Sequence, residues 1–150
     1  SEMCIRDRTK AEDGIFKKGT FFTELDNFQK IIKKNTGDNL PPEQIIKGFY
    51  SESLTDSLRE NFPKPGIVHI DVDLYSSTVE VLSFIKPLLV EGTVILFDDW
   101  YCFPGGSLEG ERKAFIEFCS ENPNFEFEEW KNYSTFGKSF FVKKIDKAYQ

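Results

Sequence analysis

Apolar residues in the middle of the chain follow the spacing of strands in two places and the spacing of a helix between them. The run at 66–71 is almost wholly apolar, which is typical of a strand buried on both faces of a parallel sheet, and a second strand is expected at 93–97. Between them, apolar positions fall on one side of a helix that Ser76 and Ser77 can cap and that Pro87 kinks or ends. This pattern predicts one right-handed βαβ unit.

The flanking segments predict further elements around this unit. Helical spacing begins near Thr23, the expected cap, and Gly37 supplies a stop. Two strands at 125–130 and 136–143 are separated by a short polar connection, which predicts an antiparallel hairpin. The remaining expected elements are a helix at 23–34, a strand at 44–47, a helix at 52–61 and a helix at 108–120. We therefore predict an α/β fold whose mostly parallel sheet ends in an antiparallel hairpin.

Both strands of the predicted βαβ unit end in acidic residues. Asp71 and Asp73 follow the first strand, Asp98 and Asp99 follow the second, and the lead acids stand 27 residues apart. Since the carboxyl ends of parallel strands open on one edge of the sheet, the four carboxylates should converge where such sheets bind ligands. Like charges so close repel by several kcal/mol in a partly dry site, so a divalent cation or a shared proton is expected among them. A structural interpretation stays open, in which Asp73 caps the next helix and Asp99 bonds a loop amide.

Residues beside the acids carry weaker signals. His69 falls on the same face as Asp71, and a hydrogen-bonded core histidine is favoured over a group that orients a carboxylate. Tyr75, Trp100 and Tyr101 flank the acids and suit either the wall of a ligand pocket or simple packing.

Composition narrows the class of protein and of partner. With 150 residues, 39% hydrophobic and 29% charged, the chain suits one globular domain. The net charge of −6 and the pI near 4.9 argue against a nucleic-acid or anionic-membrane partner, so a small molecule is expected, and homo-oligomerisation is left open.

No apolar run approaches the roughly 20 residues that span a bilayer, no secretory signal is recognisable, and the expected compartment is the cytoplasm. The three cysteines lack the spacing of a zinc site or a disulfide framework and are expected as free thiols.

Three segments together resemble the macrocin O-methyltransferase (TylF/MycF-like) family. They are HIDVDLYSST at 69–78, GTVILFDDW at 92–100 and GERKA at 110–114, and the resemblance extends over roughly 14–144. The family consists of class I methyltransferases that use S-adenosyl-L-methionine and a metal ion. The resemblance implies a Rossmann-like sheet in the family order 3-2-1-4-5-7-6, with 44–47 as strand 3 and with strands 1 and 2 lacking.

The glycine-rich cofactor loop of such enzymes has no counterpart in this chain. No G-x-G occurs anywhere in the sequence, which agrees with a family member truncated at its N-terminus. We expect residues 1–8 to be a non-native tail and residues 9–150 to be the C-terminal part of a single methyltransferase domain.

The resemblance also implies roles for individual residues. Asp71, Asp98 and Asp99 match the metal-binding carboxylates, and Asp73 matches the proposed general base. Leu74 stands where the more distant catechol O-methyltransferases have a catalytic lysine, so the likeness to those enzymes does not assign the base. The loop that would lie beside the adenine of S-adenosyl-L-methionine corresponds to Gly48, Phe49, Tyr50 and Ser51.

These roles predict a metal-dependent O-methyltransferase that acts on a hydroxyl of a sugar, glycoside or related small molecule. Mg²⁺ would stabilise the alkoxide, a carboxylate would take the proton, and the protein would hold the oxygen in line with the sulfonium methyl. Mg²⁺ takes about six oxygen ligands, so three acids leave room for neighbouring substrate oxygens. The fragment alone is expected to be inactive.

Two other interpretations stay open. Asp71-Val72-Asp73 after an apolar strand is also the DxD pattern of metal-dependent glycosyltransferases, although the second acid pair argues against it. The other interpretation is a non-catalytic α/β fragment that binds nothing strongly, because missing strands would leave sheet edges exposed.

Overall fold

A computed structural model describes residues 24–103 and 108–146, which form helices and strands in mixed order. The helices are α1 (Leu25–Thr36), α2 (Tyr50–Ser53), α3 (Asp56–Glu60), α4 (Tyr75–Ile85) and α5 (Gly110–Glu121). The strands are β1 (Ile67–Ile70), β2 (Val94–Phe97), β3 (Phe125–Tyr133) and β4 (Gly137–Ile145). The predictions for residues 1–8, the Thr23 cap and Cys4 lie outside the described residues. No helix in the described ranges has the length and apolar character needed to cross a bilayer.

The four described strands form one sheet in the order β1-β2-β4-β3. β1 and β2 pair in parallel, with Ile70 opposite Phe97, while β4 runs antiparallel to both β2 and β3. The predicted βαβ unit and C-terminal hairpin are therefore confirmed. Three of the four strands point the same way, but only one neighbouring pair is parallel. This arrangement places the carboxyl ends of β1 and β2 on the same edge as the β3–β4 turn.

The predicted strand at 44–47 is wrong. Pro42–Gln44 forms a 3-10 turn, and the residues that follow it belong to no strand, although the Ile45 backbone is extended and Ile46 is 44% exposed. A strand is stabilised by the neighbour that it pairs with, and the described residues offer none to this segment.

Two helix boundaries also differ from the prediction. The expected helix at 52–61 is split into α2 and α3, because the Thr55 hydroxyl accepts a hydrogen bond from the Leu58 amide and starts a new helix there. Ser76 and Ser77 lie inside α4 and do not cap it; Leu74 occupies the cap position, without a side-chain hydrogen bond. The stops are as expected: Gly37 ends α1 with φ +87, and α4 ends at Ile85, ahead of Pro87.

The core lies where α5 packs on the sheet. The Phe115 ring centroid is 4.8 Å from that of Phe97 and 4.7 Å from that of Phe140, and Trp100 packs 4.9 Å from Phe140. Phe97 is fully buried and directly precedes the second acid pair. The end of β2 is thus held by packing, which fixes where the acids emerge.

β1 is covered on one face only, which corrects the expectation of a strand buried on both faces. Side chains alternate between the two faces of a strand, so Ile67 and Ile70 lie on opposite faces of β1. Ile70 is 1% exposed, whereas Ile67 is 69% exposed. The described helices leave this second face of β1 open to solvent.

Candidate functional site

The candidate site begins where β1 and β2 end. The Asp98 amide donates to the Ile70 carbonyl at 3.0 Å, which extends the parallel ladder by one rung beyond the strands. The chain then leaves β1 through Asp73, whose φ of +58 is left-handed and turns the backbone toward α4. Aspartate tolerates this conformation better than most residues with a side chain. The Asp73 side chain therefore does not follow the alternating side-chain directions of a continuing strand.

Three acids come together at this edge of the sheet. Carboxylate oxygens of Asp71, Asp73 and Asp99 all lie within 4.8 Å of one another; Asp71 is exposed and the other two are partly buried. Oxygens bound to one Mg²⁺ at about 2.1 Å are about 3–4 Å apart, so small side-chain rotations would bring these three onto one ion. The donor set, all carboxylate oxygen, fits a hard divalent cation.

Asp98 does not belong to this group. Its Oδ1 lies 3.8 Å from Nε2 of His69, whose side chain is 50% exposed. Of the four carboxylates expected to converge, only three do so within 4.8 Å of one another, because Asp98 and Asp99 are neighbours at a strand end and point apart. The core role favoured for His69 is wrong, because the open face of β1 leaves the ring in solvent. The structure thus brings together two of the predicted metal ligands and the predicted base, with the third ligand beside them on the histidine side.

The clustered acids share a proton in the absence of a cation. Burial, followed by the hydrogen bond with Asp73 and the charges of nearby acids, raises the pKa of Asp99 to about 8. The pKa of Asp73 is raised by burial and lowered in part by the hydrogen bond that it accepts from protonated Asp99. A cation would replace this proton, since it neutralises the same repulsion.

Glu111, in the first turn of α5, contacts both acidic loops and had no role in the sequence-based prediction. Its side chain is fully buried, with Oε2 accepting from the Asp99 amide at 2.9 Å and Oε1 accepting from the Val72 amide at 3.4 Å. Burial raises its pKa to about 8, against the lowering effect of these two bonds. The GERKA segment contains this residue, but only the fold reveals what it touches.

The β3–β4 turn brings polar and aromatic groups to the same edge. Lys138 donates to the Tyr101 hydroxyl at 3.1 Å and pairs with Glu129 at 2.6 Å. The Tyr133 hydroxyl is buried without a hydrogen-bond partner among the described residues, and burial followed by the charge of Asp98 raises its pKa.

The aromatic residues that flank the acids divide between lining and packing. Trp100 is 7% exposed and belongs to the core, whereas Tyr101 is 37% exposed at the rim. Tyr75 is tied to α5, because its hydroxyl donates to Glu117 at 2.6 Å. Tyr101 is therefore the one of the three placed to meet a ligand at the rim.

The two described cysteines, Cys102 and Cys119, are free thiols, as predicted. Burial raises the pKa of the Cys102 thiol to about 12 and that of Cys119 to about 11, so both stay protonated at neutral pH.

The predicted cofactor loop lies at the start of α2, which packs against α4. Gly48 has φ +135, and a Cβ there would lie 3.3 Å from Cβ of Ser53. The Phe49 carbonyl accepts hydrogen bonds from the amides of Glu52 and Ser53, which shapes the turn into α2. The binding of S-adenosyl-L-methionine by Gly48, Phe49, Tyr50 and Ser51 stays a prediction.

Comparison with known proteins gives a fold but no family. No protein-family model matches the chain, and no curated protein matches its sequence. The chain is similar to the structure of the O-methyltransferase NovP, with a TM-score of 0.62 and 16% sequence identity over 80% of this chain. It also matches the apo structure of CalS11, a TDP-rhamnose 3'-O-methyltransferase of calicheamicin biosynthesis, with a TM-score of 0.47 and 22% identity over 63% of this chain. The matches span 45% of NovP and 40% of CalS11. At this identity, the likeness to NovP shows that the chain shares part of the fold of an O-methyltransferase.

Proposed function

We propose that this chain forms the metal- and acceptor-binding part of an enzyme that moves a methyl group from S-adenosyl-L-methionine to a hydroxyl of a sugar or related small molecule. The observation that carries the proposal is the group of Asp71, Asp73 and Asp99 within 4.8 Å at the carboxyl edge of a parallel strand pair. The likeness of the fold to NovP supports it.

The site residues fit the requirements of this reaction. A sugar hydroxyl holds its proton tightly at neutral pH; a bound divalent cation would supply the charge that makes this proton easier to remove. Asp71 and Asp99, with Asp98 as the third predicted ligand, would hold that ion. Asp73 would accept the proton as the hydroxyl oxygen bonds to the methyl carbon and the sulfur–carbon bond breaks, leaving S-adenosylhomocysteine.

The roles of Asp73 and Asp98 are the open point within this proposal. The sequence resemblance makes Asp98 a ligand and Asp73 the base. In the described geometry, however, Asp73 and not Asp98 lies in the group with Asp71 and Asp99. If Asp73 is the base, Asp73→Asn leaves cation affinity nearly unchanged. If it is a ligand, the same variant loses cation affinity as Asp99→Asn does.

Calorimetry on the chain as given tests the proposal. We expect Mg²⁺ or Mn²⁺ to bind at one site, with affinity at least about tenfold lower in Asp99→Asn, which removes one ligand. Asp38→Asn, in the exposed loop after α1, is the control for loss of one carboxylate charge. Equal affinity of the wild-type, Asp99→Asn and Asp38→Asn proteins would exclude the acidic cluster as the cation site.

A second titration separates the proposal from the glycosyltransferase alternative. The alternative predicts that a nucleoside diphosphate binds only with Mn²⁺ or Mg²⁺, through Asp71 and Asp73. The proposal predicts no such binding, because the cation is held by acids from two strands and faces a hydroxyl acceptor. Metal-dependent binding of a nucleoside diphosphate with the same affinity in the wild type and in Asp99→Asn would favour the glycosyltransferase.

A further inference from the structure

Glu111 ties together the backbones of the two acid-bearing loops. One carboxylate oxygen accepts from Val72, the residue between Asp71 and Asp73, and the other accepts from Asp99. A single side chain thereby links the two loops that carry the acid cluster, at distances of 3.4 and 2.9 Å. The link does not depend on the acid side chains themselves, because it acts on main-chain amides.

The start of α5 is also docked closely on the first loop. Gly110 has φ +53, and a Cβ at this position would lie 3.1 Å from the Asp73 carbonyl oxygen and 2.5 Å from the Phe103 ring. The first turn of α5 therefore contacts the first acidic loop twice, through Gly110 and through Glu111. Two separate contacts indicate that the position of this turn and the position of the loop are fixed together.

Space filling alone does not account for a glutamate here. A fully buried carboxylate has a large desolvation cost, and an apolar side chain of similar size is often as stable or more stable. What an apolar side chain lacks is the ability to accept a hydrogen bond from each of two loops. The chemistry of this position is therefore that of a bridge between amides.

We propose that Glu111 is a positioning residue that sets the separation of the two acidic loops, and thereby the spacing of the carboxylates that would hold the cation. This inference rests on the proposed function, because it concerns the geometry of the same site. Glu111 acts through the Val72 and Asp99 amides and does not touch the substrate.

Three variants separate the reach of the side chain from its ability to accept two hydrogen bonds. Glu111→Gln keeps the size but turns an N–H group toward one of the amide donors. Glu111→Asp keeps the carboxyl group but is one methylene shorter, so it no longer reaches both amides. Glu117→Gln is the matched control, since it makes the same substitution six residues further along α5, where the carboxylate accepts from the Tyr75 hydroxyl.

Calorimetry with Mg²⁺ or Mn²⁺ gives the first measurement, at a temperature at which circular dichroism shows each variant folded. We expect Glu111→Gln and Glu111→Asp each to weaken cation binding by about 10- to 100-fold, as found for groups that orient metal ligands. Glu117→Gln should stay within about twofold of the wild type. If Glu111→Asp retains wild-type affinity, or if both variants lower only the melting temperature, the positioning role is wrong.

Amide hydrogen exchange gives a second measurement that needs no cation. Loss of a hydrogen bond should make at least one of the Val72 and Asp99 amides exchange about 3- to 10-fold faster in Glu111→Gln than in Glu117→Gln. If the wild-type protein binds no cation, the proposed function fails, and this exchange measurement still decides whether Glu111 holds the loops. Equal exchange rates in the two variants would overturn the inference. Should Glu111→Gln not fold, Glu111→Asp replaces it in this comparison.

Discussion

Replacement of Gly110 by alanine should cost the protein a large part of its stability. Gly110 is the first residue of α5, with φ +53, and an added Cβ would meet Cε2 of Phe103 at 2.5 Å and the Asp73 carbonyl oxygen at 3.1 Å. The first contact is much shorter than a carbon–carbon contact allows, and the second involves backbone that cannot rotate away. Either the Phe103 ring or the start of α5 must move.

The magnitude follows from two contributions. A left-handed backbone costs alanine about 1–2 kcal/mol more than glycine, and overpacking of a filled space costs about 1–3 kcal/mol. The expected loss is therefore about 2–5 kcal/mol, against a total stability of about 5–15 kcal/mol for a typical domain. Gly92→Ala is the matched control, because Gly92 has φ +89 and a Cβ there would meet nothing within 4 Å.

Urea denaturation followed by tryptophan fluorescence and circular dichroism measures the free energy of unfolding lost in Gly110→Ala and in Gly92→Ala. Since φ +53 lies inside the left-handed region that alanine can enter and φ +89 lies outside it, backbone strain alone would make Gly92→Ala the less stable variant. Our reasoning predicts the opposite order. Phe103→Leu should recover part of the Gly110→Ala loss in a double-mutant cycle. A greater or equal loss in Gly92→Ala, or strict additivity with Phe103→Leu, would refute the steric argument.

Further predictions concern the acid cluster. Without a cation, stability should fall as the pH rises from about 4 to about 8, because the folded-state pKa values of Asp99 and Glu111 are both raised to about 8, chiefly by burial, while the unfolded values are about 3.9 and 4.3. Thermal melts across this range should show the fall, and saturating Mg²⁺ should reduce it at pH 8. Asp99→Asn should flatten the same profile, because the amide N–H can replace the shared proton toward Asp73; an unchanged slope would show that other groups dominate. Asp98→Ala should lower Mn²⁺ affinity if Asp98 is a ligand, as calorimetry would show, and unchanged affinity would leave Asp71, Asp73 and Asp99 as the ligand set. S-adenosyl-L-methionine should bind this chain weakly or not at all, because the sequence contains no glycine-rich G-x-G loop, and micromolar affinity by calorimetry would contradict this prediction.

The sequence was most informative where neighbouring residues decide the structure. The apolar runs before Asp71 and Asp98 predicted two strands, and the spacing between them fitted a helical crossover and a parallel pair. The short polar connection after Trp130 predicted a hairpin. These features depend on local pattern and chain length, which the sequence contains directly.

Features that depend on distant partners could not be predicted in the same way. The segment 44–47 has strand-like composition but no pairing neighbour in the described sheet, and the exposure of His69 depends on which face of β1 other elements cover. The bridge made by Glu111 is the clearest case, because its partners Val72 and Asp99 lie 39 and 12 residues away. A glutamate in the first turn of a helix ordinarily indicates a favourable interaction with the helix dipole at the surface.

The left-handed backbone at Asp73 limits which residues this corner of the chain can accept. Asparagine and glycine are the other residues that enter this region readily, whereas β-branched or bulky residues would distort the turn into α4. Few single substitutions at Asp73 would therefore keep the backbone conformation of this turn. Asparagine would keep the shape without the negative charge, and glycine would keep the turn without any functional group. For the same reason, a loss of function in Asp73→Ala would mix lost chemistry with a displaced loop, and Asp73→Asn is the variant that separates the two.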